Sequence, residues 1–147
     1  MTNLHIVSGE RAINAAREAI ANFSNPPLLI GVTVLTSLLQ QDLQIVNIDT
    51  SIEALVLQLA TLAKHAGLDG VVCSPQEAAL LRSVLGEDFL LVTPGIRLAQ
   101  EIEDDQRRIM MPDAAMAAGA SYLVIGRPIT HADSPSQVLE EIILKLS

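Results

Sequence analysis

The strongest constraint on the fold is the alternation of short apolar, β-branched runs with longer segments of helical period along the chain. Such alternation is typical of successive βα units, whose strands lie parallel in one sheet. The predicted strands cover residues 4–7, 28–35, 70–73, 89–93 and 122–125. Because these runs are continuously apolar, the pattern predicts helices on both faces of the sheet. No linker separates the units, so residues 1–147 are predicted to form a single α/β domain.

Capping signals mark the predicted helices, which cover residues 9–23, 51–66, 75–85, 112–118 and 135–146. Ser74 and Glu77 flank Pro75 in the capping-box pattern, and Thr50 with Glu53 is predicted to repeat it. Ser134 and Gln137 form a third such pair. The glycines expected to end helices through a positive φ are Gly67, Gly86 and Gly119.

Charge and cysteine content exclude several classes of protein. Nine basic against seventeen acidic residues give a net charge of −8, which argues against binding nucleic acid or an acidic membrane through bulk charge. The single cysteine, Cys73, excludes an internal disulfide framework and a four-cysteine zinc site. The N-terminus carries no signal-peptide pattern, and no apolar run is long enough to span a membrane. A cytoplasmic protein is therefore expected.

The loops after the last two predicted strands carry the residues best suited to a ligand. Ligands of parallel βα proteins bind at the carboxyl ends of the strands. Arg97 follows the fourth strand and Gly126-Arg127 the fifth. A glycine lets the backbone approach a ligand, and a guanidinium offers a fork of donors to phosphate oxygens. A phosphate ligand is therefore predicted. Alternatively, both arginines pair with surface carboxylates in the run Glu101 to Asp105. This acidic run is typical of a solvated loop rather than of a metal site.

Five runs together carry a specific family resemblance: residues 32–37 (VTVLTS), 67–74 (GLDGVVCS), 91–97 (LVTPGIR), 105–108 (DQRR) and 125–130 (IGRPIT). In this order and spacing they resemble bacterial orotidine 5′-phosphate decarboxylase, and the resemblance covers essentially the whole chain. It implies a TIM (β/α)8-barrel family and a lyase of pyrimidine biosynthesis, which uses neither a metal nor an organic cofactor. The nucleotide ligand it implies is orotidine or uridine monophosphate.

Carried over to this chain, the resemblance implies a role for each matching residue. The residues implied to hold the phosphate are Arg97, Gln106, Gly126 and Arg127. Thr36, with Ser37 beside it, is implied to contact the pyrimidine ring. Arg82 lies on a predicted helix away from these loops, so its replacement is expected to change ligand binding little.

The catalytic array of the family has no counterpart in these 147 residues. The family depends on an Asp-x-Lys-x-x-Asp motif, whereas the lysines here are Lys64 and Lys145, neither in that setting. The chain resembles the part of the barrel from the fourth strand to the last helix, so no catalytic residue is assigned and no turnover is expected from it alone. It also departs from the family's His-Ala-Ser-Gly-Gly run, because residues from His5 to Glu10 stand there.

Three hypotheses for function remain open from the sequence. The chain is a truncated decarboxylase, a non-catalytic phosphate-binding or self-assembling part-barrel module, or a different barrel enzyme that has recruited acids such as Asp69 or Glu10. Five βα units form an incomplete barrel, and two alternatives are an open doubly wound sheet and an oligomer that shares sheet edges. Unpaired edges favour a homo-oligomer.

Overall fold

The computed structural model describes residues 1–98 and 108–146, which contain a five-stranded parallel sheet. The strands are β1 (Thr2–His5), β2 (Leu29–Val32), β3 (Gly70–Val72), β4 (Leu90–Thr93) and β5 (Tyr122–Leu123). Their spatial order follows the chain, β1-β2-β3-β4-β5, and every neighbouring pair is parallel. All five predicted strands are therefore confirmed, although each is shorter than the apolar run that predicted it or begins elsewhere.

Seven α-helices are described, and five of them match the predicted ones. They are α1 (Glu10–Ala21), α2 (Gln40–Ile45), α3 (Ile52–His65), α4 (Ala78–Leu85), α5 (Pro112–Ala117), α6 (Arg127–Thr130) and α7 (Pro135–Leu146). The short helices α2 and α6 were not predicted, because each spans fewer than two turns and shows no apolar period. Two 3-10 turns, Ile6–Ser8 and Pro75–Glu77, replace the end of the first predicted strand and the start of the third predicted helix.

The capping pair at Ser74 is confirmed, and the one predicted at Thr50 needs a correction. The Ser74 hydroxyl accepts from the Gln76 amide at 3.2 Å, and the Glu77 carboxylate accepts from the Ser74 amide at 2.8 Å. Ser51, not Thr50, caps α3, since its hydroxyl accepts from the Ala54 amide at 3.2 Å. The glycines predicted to end helices have positive φ: Gly67 (75°), Gly86 (79°) and Gly119 (103°).

The sequential strand order decides which face of the sheet the helices cover. Crossovers between parallel strands are right-handed, so an order that never reverses keeps every crossover helix on the same face. Accordingly, Leu29, Val71 and Leu91 pack with buried residues of α3 and α4 in one core cluster. The prediction of helices on both faces was wrong, and so was the doubly wound alternative, which needs a reversal in strand order.

The close approach of β3 to β4 requires a glycine. Gly70 is paired in register with Leu90, and a Cβ at position 70 would collide with the Leu90 carbonyl and side chain. A second, smaller core of Ile96, Ala115 and Ala120 packs under the loop after β4 and under α5. Among the described residues, β1 and β5 each pair along one side only. No helix in residues 1–98 and 108–146 combines the length and apolar character needed to cross a membrane.

Candidate functional site

The predicted ligand-binding residues follow three strands of the same parallel sheet. Thr36 and Ser37 come after β2, Arg97 after β4, and Gly126 with Arg127 after β5. Since parallel strands end at the same edge, these loops all lie at the carboxyl edge of the sheet. Gln106 and the acidic run at 101–105 lie outside the described residues.

Gly126 and Arg127 form the exposed part of this edge. The Gly126 carbonyl accepts from the amides of Ile129 and Thr130 at 2.9 and 3.0 Å, which fixes the turn into α6. Arg127 is the first residue of α6 and is exposed, while the adjacent Pro128 is buried and anchors the helix. A Cβ at position 126 would meet no atom within 4 Å. The space over this backbone is therefore open to a ligand.

Arg97 is positioned differently from Arg127, because it is 6% exposed. Its Nη1 donates to the Ile96 carbonyl at 2.8 Å. Its backbone amide donates to the Met110 carbonyl at 3.0 Å, and the Met110 amide donates to the Gly95 carbonyl at 3.1 Å. Arg97 is therefore a buried arginine of the loop after β4, and the acidic run with which the alternative would pair it lies outside the described residues.

The loop after β2 brings a buried hydroxyl to the same edge. Thr36 is buried and Ser37 half-buried, and the neighbouring Leu38 amide donates to the Leu35 carbonyl at 3.0 Å. At the start of the loop, the Thr33 hydroxyl donates to the Val72 carbonyl at 2.8 Å. These bonds tie the loop to β3 and to itself, so Thr36 sits on a folded turn rather than on a free loop.

A buried ion pair at this edge was missed by sequence reasoning. The Arg108 guanidinium pairs with the Glu77 carboxylate, and their side chains are 8% and 3% exposed. Desolvation by burial lowers the pKa of Arg108 from its ordinary value. Both residues stood in recognised patterns, Arg108 in the 105–108 run and Glu77 in the capping box. Neither pattern indicated that the two would meet, because they are far apart in the chain.

Both lysines of the chain lie in the last turns of helices. Lys64 is in the last turn of α3, and its Nζ donates to the Leu85 carbonyl at 2.6 Å at the end of α4. Lys145 is exposed in the last turn of α7. The crossover helix α3 runs back from the carboxyl edge, so its last turn, with Lys64, lies at the opposite, amino edge.

The acids proposed for a different chemistry do not form a cluster. Asp69 immediately precedes β3 at the amino edge, and its carboxylate accepts from the Leu29 amide at 2.7 Å. This bond gives Asp69 a structural role. Glu10 is exposed at the start of α1. Among residues 1–98 and 108–146, no three His, Cys, Asp or Glu side chains are grouped so that they could hold a metal ion.

Comparisons with known proteins place this arrangement in a family. The model of the "Orotidine 5'-phosphate decarboxylase / HUMPS family" matches residues 1–142. The chain is 58% identical over 142 residues to orotidine 5′-phosphate decarboxylase from Chromobacterium violaceum, covering 97% of this chain and 58% of that protein. It is 55% identical over 148 residues to the Aliivibrio fischeri decarboxylase, covering 100% of this chain and 63% of the relative.

Solved structures agree in fold and in extent. The decarboxylase from Lactobacillus acidophilus superimposes with a TM-score of 0.84 at 36% identity, over 99% of this chain and 62% of that one. The decarboxylase from Pyrococcus horikoshii shares the fold, with a TM-score of 0.70 at 20% identity. The chain thus spans about three fifths of the length of its relatives, and its sheet is part of a TIM barrel. It belongs to the orotidine 5′-phosphate decarboxylase / HUMPS family.

Proposed function

We propose that this chain is the phosphate- and pyrimidine-binding part of an orotidine 5′-phosphate decarboxylase, with orotidine or uridine monophosphate as its ligand. The observation that carries the proposal is the convergence of the Thr36, Arg97 and Gly126-Arg127 loops at one edge of one sheet. The relatives bear the name of this enzyme, and the runs that hold these residues are those that resemble it.

In this proposal the exposed Arg127 supplies the main contact to the phosphate. Its guanidinium donates to phosphate oxygens, while the open space at Gly126 lets the phosphate approach the backbone. Arg97 adds positive charge from beneath the edge, and Gln106 adds an amide donor. Thr36 and Ser37 supply hydroxyl groups to the pyrimidine ring.

Titration calorimetry with uridine monophosphate tests this proposal. A charge-assisted hydrogen bond contributes about 1.5–3 kcal/mol, so Arg127→Ala is expected to weaken binding roughly tenfold to a hundredfold. Gly126→Ala is expected to weaken binding too, with little change in melting temperature, because its Cβ enters open space.

The matched control is Arg11→Ala, which removes the same charge from an exposed position in the first turn of α1. That turn follows β1 at the carboxyl edge, so diffuse electrostatic attraction would respond to it as well. Unchanged affinity in this variant supports a specific site. Equal losses from Arg11→Ala and Arg127→Ala would contradict the proposal.

We further propose that the 147-residue chain does not decarboxylate orotidine 5′-phosphate by itself. Removing carbon dioxide leaves a carbanion that must receive a proton, and the implied donor is a lysine beside aspartates. Lys64 lies at the amino edge, and Lys145 is exposed in the last turn of the final helix α7. A single-turnover assay on the purified chain is expected to show no uridine monophosphate above background, and turnover comparable with that of an intact relative would overturn this expectation.

The second candidate function is a self-assembling part-barrel that binds phosphate ligands without turnover. The observation that favours it is the pair of sheet edges at β1 and β5, each paired along one side only among the described residues. A second copy of the chain is the partner proposed for these edges.

A further inference from the structure

We infer that Arg108 is a positioning residue that holds the loop after β2 and the loop after β4 in one arrangement at the candidate site. The inference rests on the proposed function for the ligand that these loops bind. Arg108 touches neither a phosphate nor a ring in this inference; it acts through Thr36 and Arg97.

The side chain of Arg108 holds the loop after β2 through main-chain carbonyls of that loop. Its Nη2 donates to the carbonyls of Leu35 and Val34 at 3.0 and 3.3 Å, across 73 and 74 positions of the chain. Leu35 immediately precedes Thr36, and its carbonyl also accepts from the Leu38 amide. One guanidinium group therefore holds the residues that enter the turn carrying Thr36 and Ser37, and the bond from the Leu38 amide to the Leu35 carbonyl closes that turn.

The main chain that follows Arg108 holds the start of the loop after β4, from Gly95 to Arg97. Met110 forms an isolated parallel bridge with Ile96, with its carbonyl bound to the Arg97 amide and its own amide bound to the Gly95 carbonyl. The Arg108 carbonyl accepts from the Ser74 hydroxyl at 3.3 Å, which ties the same segment to the end of β3. Residues 108–110 are thus a brace between Arg97 and Thr36.

The ion pair with Glu77 explains how this charge can lie inside the protein. Burying a guanidinium is costly unless a counter-charge and hydrogen bonds accompany it. Glu77 supplies the counter-charge and, through its other oxygen, accepts from the Ser74 amide. Neutral groups could replace a purely structural ion pair with little loss of stability. They could not replace the hydrogen bonds that Arg108 donates to the Leu35 and Val34 carbonyls.

The test is the double variant Glu77→Gln with Arg108→Met, which leaves no unpaired buried charge and retains an acceptor for the Ser74 amide. Amide hydrogen exchange is followed at Leu38 and Arg97, with Asp69 at the amino edge as the internal control. Exchange at both carboxyl-edge amides is expected to accelerate by about tenfold or more, while Asp69 is unchanged. No acceleration at either amide, or equal acceleration at all three, would overturn the inference.

Calorimetry on the same variant separates this inference from the proposed function. If the parent chain binds uridine monophosphate, the double variant is expected to bind it about tenfold more weakly or worse. Unchanged affinity would overturn the positioning role. If the parent chain itself fails to bind the nucleotide, the proposed function is wrong, and the exchange rates at Leu38 and Arg97 still decide whether Arg108 holds the two loops together.

Discussion

At the scale of single residues, burial decides what each reactive side chain can do. The Cys73 thiol follows β3 and has no exposed surface. Desolvation raises its pKa from 9.0 to about 12, despite the opposing charges of Arg108 and Arg82. A thiol that keeps its proton is a poor nucleophile, so Cys73 is a small apolar core residue in this protein.

This raised pKa makes the stability of the chain depend on pH in alkaline solution. The unfolded thiol loses its proton above about pH 9, whereas the folded thiol keeps it up to about pH 12. The contribution of Cys73 to stability is therefore fully present below pH 9 and is lost as the pH rises from about 9 to about 12. In urea unfolding, the free energy of unfolding of the parent is expected to fall more steeply above pH 9 than that of Cys73→Ala. Identical slopes, or rapid alkylation of the native thiol at neutral pH, would contradict this.

At the scale of elements, one arginine links three segments of the chain at the amino edge of the sheet. Arg82 lies on α4, and its Nη1 donates to the carbonyls of Gly86, Glu87 and Phe89 at 2.7, 2.8 and 2.8 Å. Its Nη2 donates to the Gly119 carbonyl at 2.6 Å and the Ser121 hydroxyl at 3.1 Å. These acceptors belong to the end of α4, the approach to β4, and the connection from α5 to β5.

Arg82→Ala is therefore expected to destabilise the fold. Hydrogen bonds from a charged donor contribute about 1.5–3 kcal/mol, so a loss of about 2 kcal/mol or more in the free energy of unfolding is expected. Lys145→Ala removes an exposed charge from α7 and is expected to stay within about 0.5 kcal/mol of the parent. Urea denaturation measures both, and equal stabilities for the two variants would contradict the prediction. The position of Arg82 away from the ligand loops is confirmed, but this variant is unsuitable as a neutral control for binding.

At the scale of the whole molecule, helices cover one face of the sheet, and the edges at β1 and β5 are unpaired among residues 1–98 and 108–146. Tyr122, paired in register with Val92, is 47% exposed, and the nearby Val124 is 49% exposed. Open parallel edges invite pairing with other strands, and exposed apolar side chains add to that tendency. Unpaired edges are expected of a chain that spans about three fifths of the length of its barrel relatives.

We therefore expect the chain to associate in solution. Static light scattering over a series of dilutions is expected to give a mass above 15.7 kDa at all but the lowest concentrations. If the two edges of the sheet were instead covered within the same chain, the protein would remain a monomer across the series. A mass of one chain throughout, with good solubility, would contradict this prediction.

The sequence by itself determined the order of the five strands and of five of the helices, several helix ends and the family. These depend on local signals, such as the Ser74 cap and the positive φ at Gly67, whose energies come from residues a few positions apart. Short motifs also placed Thr36, Arg97 and Arg127 in loops at one edge, because the direction of parallel strands follows from the βα pattern alone.

Only the tertiary structure decided which side chains meet. The pairing of Arg108 with Glu77, the bonds of Arg108 to residues 34 and 35, and the burial of Arg97 all join segments distant in the chain. Such contacts depend on strand order and on which face the helices cover, and a continuous apolar run does not specify either. The covered face of the sheet was mispredicted for this physical reason, and the brace at Arg108 was missed because no local spacing encodes it.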